Sequence, residues 1–400
     1  MITLDDLRAA HARVAPVIRA TPVLTCTALS SLAGRPLSLK GEHLQRTGSY
    51  KIRGAYNRIS RLDPSASPAG VVAASAGNHA QGVALAARLS GVGATIFMPI
   101  TAPLPKVAAT RGYGADVQLV GEVVDDCIVA ALEHASITGS LFVPPFDDPH
   151  IIAGQGTVGL ELAELADLET VVVPVGGGGL IAGVATALAL TRPGVRVIGV
   201  EAAGAAAMRA SLDAGHRVTL DRVATMADGI ALRSPSELTL AHVQAYVDDV
   251  VTVSEEEISQ AVLLLLERAK ALVEPAGAVG LAALLAGKVG GTGPVTTILS
   301  GGNVDPLLLM KLIDHGLSSA GRYLVVRVVL GDRPGALASL TATLATLGLN
   351  VLSVDHHRSG SGLRVDEVEV RLTLETRDPD HRGRIVAAIG DAGFRVELVR

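Results

Sequence analysis

Five short apolar runs, each ending in a turn of small or glycine residues, constrain the fold of this chain more than any other feature. They are residues 71–74 before SAGNH, 94–98 before PITAP, 171–175 before GGGG, 195–200 before EAAG and 295–299 before SGGN. Helix-like segments follow them, and apolar strands alternating with helices indicate parallel α/β sheets buried on both faces. Ligands bind such sheets at the carboxyl ends of the strands, so we expect the functional residues in these five loops.

The pattern changes near residue 318. A short SSAGR link, assigned to residues 318–322, separates a region over 1–317 from a compact segment over 323–400. In that segment, apolar and polar residues alternate between 367 and 374, as in a half-buried strand, and leucines recur at helical spacing between 337 and 347. The order of elements predicts a βαββαβ, ferredoxin-like domain.

Charge and cysteine content exclude several classes of function. With 34 basic and 39 acidic residues the net charge is −5, and no long basic run offers a surface for nucleic acid or an anionic membrane. Cys26 and Cys127 are too few for a disulfide scaffold and too far apart for a zinc site, which favours a reducing cytoplasm. The amino-terminal residues lack the order of a signal peptide. Residues 171–190 are uncharged, but Pro174 and four glycines interrupt them, so a strand, loop and helix explain them better than a membrane span.

The segment TGSYKIRGA places Lys51 at the start of a predicted helix. Apolar residues between 52 and 59 form one helical stripe, and Ser49 is a candidate N-cap. Lys51 would then lie in the first turn, where the helix dipole lowers the pKa of an ammonium group. A lysine that forms a Schiff base needs such a shift from its usual pKa of about 10.4. Considered alone, a first-turn lysine is more often an exposed surface residue.

The four glycines Gly176, Gly177, Gly178 and Gly179 follow a β-branched strand and precede an apolar helix. Their backbone N–H groups could approach a phosphate at the helix N-terminus. The run fails the dinucleotide fingerprint and lacks the GK[ST] of a P-loop, which disfavours a nucleotide ligand. The alternative is a glycine turn that only permits tight packing of the helix on the sheet.

Two further loops carry candidate site residues. Ser75, Ala76, Gly77, Asn78 and His79 would present backbone donors and an amide that could hold a carboxylate, although Asn and Gly are also ordinary turn residues. His79 has no partner identifiable from sequence and is interpreted as structural. A hydroxyl in the last loop, SGGN, could face a ring nitrogen.

Together the segments TGSYKIRGA, SAGNHAQG, GGGGL, VEPAGA and SGGN, in this order over roughly residues 5–315, resemble the fold-type II pyridoxal-phosphate enzymes of the tryptophan synthase β-like group, and within it the threonine dehydratase (threonine ammonia-lyase) family. The resemblance implies two open α/β sheet domains, the smaller one inserted over about 47–150, around pyridoxal 5′-phosphate. It implies that Lys51 carries the cofactor as a Schiff base, Asn78 binds the ring hydroxyl, the four glycines with Leu180 hold the phosphate, and Ser300 contacts the pyridine nitrogen.

By the same resemblance, residues 75–79 would contact the substrate carboxylate, and Glu274 lies near the cofactor without a definite role. The implied reaction deaminates L-threonine to 2-oxobutyrate and ammonia, and L-serine to pyruvate.

Ala76 stands where serine racemases carry a second serine, which disfavours racemisation. No acidic side chain follows Glu201 in the segment AAGAAA, so we expect no divalent metal, while a monovalent ion stays open. A racemase, a hydroxyaspartate dehydratase, a β-replacing synthase or a non-catalytic amino-acid sensor are the alternatives.

The C-terminal segment resembles an ACT domain through its DRPGAL loop. Asp332, Pro334, Gly335, Ala336 and Leu337 are the corresponding candidate effector-site residues. That resemblance implies allosteric control by isoleucine or valine in a homo-oligomer, a dimer or tetramer; the alternative is a domain that only promotes assembly. His356 and His357 are adjacent on a predicted strand and point to opposite faces, so they are interpreted as surface residues and not as a metal site.

Overall fold

The computed structural model describes residues 1–319, 321–358 and 363–399. The chain forms two compact units, Met1–Leu308 and Leu309–Arg400. A helix runs into the predicted link as far as Ser319, and Ala320 of that link lies outside the described residues, as do 359–362 and 400 of the predicted second domain.

The strands of the first unit follow the expected apolar runs. They are β1 (Val23–Thr25), β2 (Leu37–Lys40), β3 (Val71–Ala74), β4 (Ala94–Met98), β5 (Asp116–Leu119), β6 (Leu141–Phe142), β7 (Thr170–Pro174), β8 (Arg196–Ala202), β9 (Asp249–Val253) and β10 (Val295–Ile298). They form a six-stranded sheet in the order β1-β2-β10-β7-β8-β9 and a four-stranded sheet in the order β5-β4-β3-β6. All pairs are parallel except β1 with β2. The predicted parallel α/β architecture is therefore confirmed.

Helices cover these sheets. They are α1 (Leu4–Val14), α2 (Thr27–Ala33), α3 (Lys51–Ile59), α4 (Asn78–Leu89), α5 (Leu104–Gly112), α6 (Val124–Thr138), α7 (Pro149–Ala163), α8 (Gly179–Thr191), α9 (Ala207–Ala214), α10 (Glu237–Tyr246), α11 (Glu255–Leu264) and α12 (Pro275–Leu285). The next helix, α13 (Pro306–Ser319), spans the boundary between the two units. Short 3-10 turns occur at Glu42–Leu44, Ala203–Ala205 and Asp228–Ile230, and a π-helical turn at Leu265–Ala269.

Burial on both faces explains why these strands read as continuous apolar runs. Every residue of β3 and of β7 is buried, as expected for strands with helices on both sides. The uncharged stretch 171–190 is β7, a glycine loop and α8. Among the described helices, none is both long enough and apolar enough to cross a membrane.

The second unit has the predicted βαββαβ order. Its elements are β11 (Tyr323–Gly331), α14 (Ala336–Thr346), β12 (Val351–His357), β13 (Glu367–Glu375), α15 (Pro379–Asp391) and β14 (Arg395–Leu398). The strands form one antiparallel sheet in the order β12-β13-β11-β14. Alternate residues of β13 are buried against the helices, which is the half-buried pattern expected from the sequence.

Candidate functional site

One cavity of the first unit opens at the carboxyl ends of β3, β7 and β10. Its empty space, counted together with the open solvent at its mouth, is about 460 Å³. Its lining residues are Tyr50, Lys51, Asn78, Phe146, Pro174, Gly176, Gly177, Gly178, Gly179, Leu180, Gly229, Ile230, Leu232, Glu274, Ala276 and Ser300. Three of the five predicted loops thus meet here. The loops after β4 and β8 do not line this cavity.

Lys51 is the first residue of α3, and its amine borders the cavity. The amine donates a hydrogen bond to the Pro145 carbonyl at 3.1 Å and lies 5.3 Å from the centroid of the Tyr50 ring. Burial lowers the pKa of Lys51 to about 8, although the Glu274 carboxylate acts in the opposite direction. Burial is thus a cause of the lowered pKa that helix position alone did not reveal.

The predicted N-cap at Ser49 is wrong. Tyr50 occupies the N-cap position in a right-handed helical conformation, φ −59° and ψ −18°, and makes no side-chain cap. Ser49 instead pairs through its backbone with Gly301, and the Tyr50 N–H donates to the Ser300 carbonyl at 3.1 Å. Backbone bonds to the SGGN loop therefore hold the start of α3, and the Ser49 hydroxyl is turned into the interior, without a hydrogen-bond partner among the described residues.

The tetraglycine loop forms the wall opposite this helix start. Gly178 is the N-cap of α8 with φ +89°, a conformation that glycine adopts without strain. A Cβ atom at Gly177 would lie 2.3 Å from the Phe146 ring, so a side chain there would clash. The first N–H groups of α8 have no acceptor within the helix, and the dipole favours an anion there. The loop therefore both packs tightly and leaves a cradle for a phosphate.

A chain of amides fixes the orientation of Asn78. The Asn303 amide nitrogen donates to the Thr47 carbonyl at 2.7 Å and to the Asn78 oxygen at 2.8 Å. Because a carbonyl only accepts, these bonds determine which way both amides face. The Asn78 nitrogen then donates to the Glu274 carboxylate at 2.6 Å, and its second hydrogen has no acceptor among the described residues.

Glu274 is a titratable group to which the sequence assigned no role. It is the N-cap residue of α12 and is almost completely buried. Burial, reinforced by repulsion from Asp228, raises its pKa to about 7, against the opposing effects of Asn78 and two lysines. The cavity therefore holds a carboxyl and an amine that both titrate near neutrality, which is typical of catalytic sites.

The SAGNH loop contributes to the cavity through Asn78. Ser75, Ala76, Gly77 and His79 lie beside it but are not among its lining residues. His79 is buried with its Nε2 atom 2.9 Å from the Val143 carbonyl, and burial together with Lys51 lowers its pKa to about 3. Its ring is therefore neutral and engaged in a structural contact. Helix α4 begins at Asn78 without a side-chain cap, so its first N–H groups have no acceptor within the helix.

The cavity offers a partner for each functional group of pyridoxal phosphate. A phosphate fits the α8 N-terminus, an aldehyde fits the Lys51 amine, and a ring hydroxyl fits the free hydrogen of Asn78. The Ser300 residue, buried at the end of β10, also lines the cavity. Within residues 1–319, 321–358 and 363–399, no cluster of three or more His, Cys, Asp or Glu side chains could hold a metal ion.

Comparisons with known proteins agree with this geometry. A family model described as pyridoxal-phosphate dependent enzyme matches residues 14–301, and an ACT domain model matches residues 324–394. L-threonine ammonia-lyase of Thermotoga maritima is 47% identical and that of Geobacter sulfurreducens 45% identical, each over 100% of both chains. The structure of processed threonine deaminase isoform 2 from Solanum lycopersicum has a TM-score of 0.74 at 41% identity, covering 78% of this chain and 87% of that one. The match of the ACT domain model to residues 324–394 confirms the predicted ACT domain.

Proposed function

The chain belongs to the family of pyridoxal-phosphate-dependent enzymes, and we propose that it is a threonine ammonia-lyase. It converts L-threonine to 2-oxobutyrate and ammonia, and L-serine to pyruvate and ammonia. The observation that carries the proposal is one cavity that joins the low-pKa amine of Lys51 to a glycine cradle at a helix N-terminus. Full-length relatives with the same reaction in their names support it.

Lys51 would perform the proton transfer. When bound, pyridoxal phosphate would supply a conjugated ring that accepts an electron pair. The Lys51 amine would hold the cofactor's aldehyde and remove the Cα proton of the substrate. A pKa of about 8 raises the neutral fraction of this amine near pH 7 by roughly two orders of magnitude over an ordinary lysine.

The remaining cavity residues would bind and orient. The N–H groups of residues 176–180 would hold the phosphate, and the free hydrogen of Asn78 would bind the ring hydroxyl. Ser300 would face the ring nitrogen. A neutral hydroxyl does not keep that nitrogen protonated as a carboxylate would, so this residue favours elimination over transamination.

A product assay tests the proposed reaction. The cofactor-loaded protein is incubated with L-threonine or L-serine, oxoacids are identified by chromatography, and the chirality of remaining serine is determined. We expect 2-oxobutyrate from threonine and pyruvate from serine, each lost in Lys51→Ala. Accumulation of D-serine as the main product would assign a racemase, and bound cofactor without oxoacid would exclude the lyase.

The ACT domain is proposed to regulate this reaction by binding isoleucine or valine at Asp332, Pro334, Gly335, Ala336 and Leu337. Gly335 has φ +89° and is the N-cap of α14, so the loop exposes backbone donors suited to an amino acid's carboxylate. We further propose that the protein is a homo-oligomer, a dimer or tetramer, in the cytoplasm.

Titration of each amino acid against the wild type and Asp332→Ala, with Asp355→Ala as control, tests the proposed effector site. No response to either amino acid would leave only the role in assembly.

A further inference from the structure

An ion pair between Lys106 and Asp228 connects the two sheet subdomains of the first unit beside the cavity. Lys106 is the third residue of α5, which follows a strand of the smaller sheet, whereas Asp228 begins the 3-10 turn whose next residues line the cavity. The Lys106 side chain is 10% exposed and that of Asp228 56%. A nearly buried cation is thus paired with a carboxylate that faces solvent.

The Lys106 amine lies at the SAGNH loop. A Cβ atom at Gly77 would be 3.8 Å from the amine nitrogen, so the amine adjoins the residue that precedes α4. On the other side of the pair, a Cβ atom at Gly229 would be 3.6 Å from a Glu274 oxygen and 4.0 Å from the Asn78 amide nitrogen. The ion pair is therefore next to the residues proposed to hold the cofactor and the substrate.

On the basis of the proposed function, we propose that Lys106 binds the carboxylate of the amino-acid substrate and that Asp228 occupies its amine until the substrate arrives. Both the substrate and Asp228 offer a carboxylate, so the exchange leaves the charge beside Lys106 unchanged. Asp228 is more than half exposed, and pairs with an exposed partner contribute little stability, so its release costs little. The carboxylate of a bound substrate would be enclosed beside the cavity. Solvent would therefore screen its attraction to Lys106 less than it screens the attraction between Lys106 and Asp228.

In this arrangement Asp228 is the counter-ion of Lys106 while the substrate is absent. If both the substrate and Asp228 were absent, the nearly buried ammonium of Lys106 would have no ion-pair partner among the described residues, which is costly in a protein interior. The N–H groups of the first turn of α4 would complete the carboxylate site that Lys106 begins. The competing interpretation is a purely structural tie between the subdomains, in which both partners contribute equally.

Binding of L-2-aminobutyrate separates the two interpretations. This analogue of threonine lacks the hydroxyl that leaves, so its dissociation constant can be measured by calorimetry on the cofactor-loaded protein without turnover. We expect Lys106→Met to weaken binding by about 10- to 100-fold, the loss of one charge-assisted hydrogen bond. Lys106→Arg should restore most of it. Asp228→Asn should tighten binding, because the competing carboxylate is gone.

Two controls complete the experiment. 2-Amino-1-butanol, which lacks the carboxylate, should bind the wild type and Lys106→Met equally. With L-threonine, Lys106→Met should raise KM more than it lowers kcat, and the visible absorbance of the bound cofactor should persist. Equal weakening and an equal drop in Tm in Lys106→Met and Asp228→Asn would overturn the proposal in favour of a structural tie, and unchanged binding in Lys106→Met would also overturn it. Because aminobutyrate binding requires no turnover, failure of the lyase reaction is detected separately.

Discussion

Two of the three cations on helix α3, Lys51 and Arg53, lie two residues apart in opposite electrostatic environments. Lys51 borders the cavity, and its amine donates to the uncharged Pro145 carbonyl. Arg53 is fully buried and binds the carboxylates of Glu42 and Glu161. Burial lowers the pKa of Lys51 to about 8; it also acts to lower the pKa of Arg53, but the two carboxylates more than reverse this.

The difference shows that the partners of a buried cation, and not burial alone, decide its role. The Arg53 guanidinium meets Glu42 through two bonds of 2.7 and 2.8 Å and Glu161 at 2.5 Å. Lys40 binds the same Glu161 at 2.6 Å. Because these residues lie on or beside β2, α3 and α7, the ion cluster ties helix α3 to β2 and α7. The Lys51 amine of the same helix has no ion-pair partner among the described residues.

Removal of the Lys51 amine should have the largest effect on activity and little effect on the fold. We expect Lys51→Ala to reduce 2-oxoacid formation by at least about 10³-fold, since proton transfer and cofactor attachment are lost together. Its Tm, measured without cofactor, should not fall, because a poorly paired cation has been removed. Activity within tenfold of the wild type would contradict the assigned role.

Removal of the Arg53 guanidinium should have the opposite consequence, a large loss of stability of the fold. We expect Arg53→Met to lower the free energy of unfolding by about 3–5 kcal/mol, because the buried Glu42 carboxylate loses its guanidinium partner and Glu161 keeps only Lys40. Urea denaturation of the apoprotein measures this loss. The double variant Arg53→Met/Glu42→Gln should be more stable than Arg53→Met alone. A loss no larger than that of an exposed pair, up to about 1 kcal/mol, would show that the cluster does not hold the helix.

At alkaline pH, the stability of the apoprotein should change with pH because Lys51 loses its proton at different pH values in the folded and unfolded chains. Its folded pKa of about 8 lies below the ordinary value of 10.5, so between these values the unfolded chain binds more protons and stability rises with pH. Relative to Lys51→Met, the wild type should therefore gain on the order of 1–3 kcal/mol across this window. Denaturation of both proteins at a series of pH values measures the gap. A gap that stays constant would contradict the lowered pKa.

A third cation of the same helix should show the smallest effect. Arg58 binds Asp148 at 2.8 Å, and their side chains are 21% and 14% exposed. We expect Arg58→Gln to lower the free energy of unfolding by only about 0.2–1 kcal/mol, because Asp148 keeps the hydrogen bonds from the His150 and Ile151 N–H groups and both partners retain some solvent contact. A loss equal to that of Arg53→Met in the same urea assay would show that burial does not separate the two arginines.

The strands could be predicted because their signal is local. Residues 71–74 and 94–98 coincide with β3 and β4, and 171–175 is displaced by one residue from β7. Strands buried on both faces must be apolar throughout, so a run of a few residues is sufficient evidence. The SAGNH, GGGG and SGGN loops were found for the same reason, since each directly follows such a run.

The contacts that define the site could not be predicted, because their partners are distant in sequence. Arg53 and Glu161 are 108 residues apart, Lys106 and Asp228 are 122 apart, and Asn303 and Asn78 are 225 apart. No periodicity connects such positions. The Ser49 cap was wrong for the same reason: a distant loop supplied backbone bonds that replaced the local one.

The attachment point of the cofactor decides whether Lys51 is the lysine that forms the Schiff base. The protein loaded with pyridoxal phosphate is reduced with borohydride, digested, and its modified peptide identified by mass spectrometry. We predict one stoichiometric label on Lys51 and none on Lys106. Labelling of Lys106 or another lysine in place of Lys51, or no stable label, would contradict it.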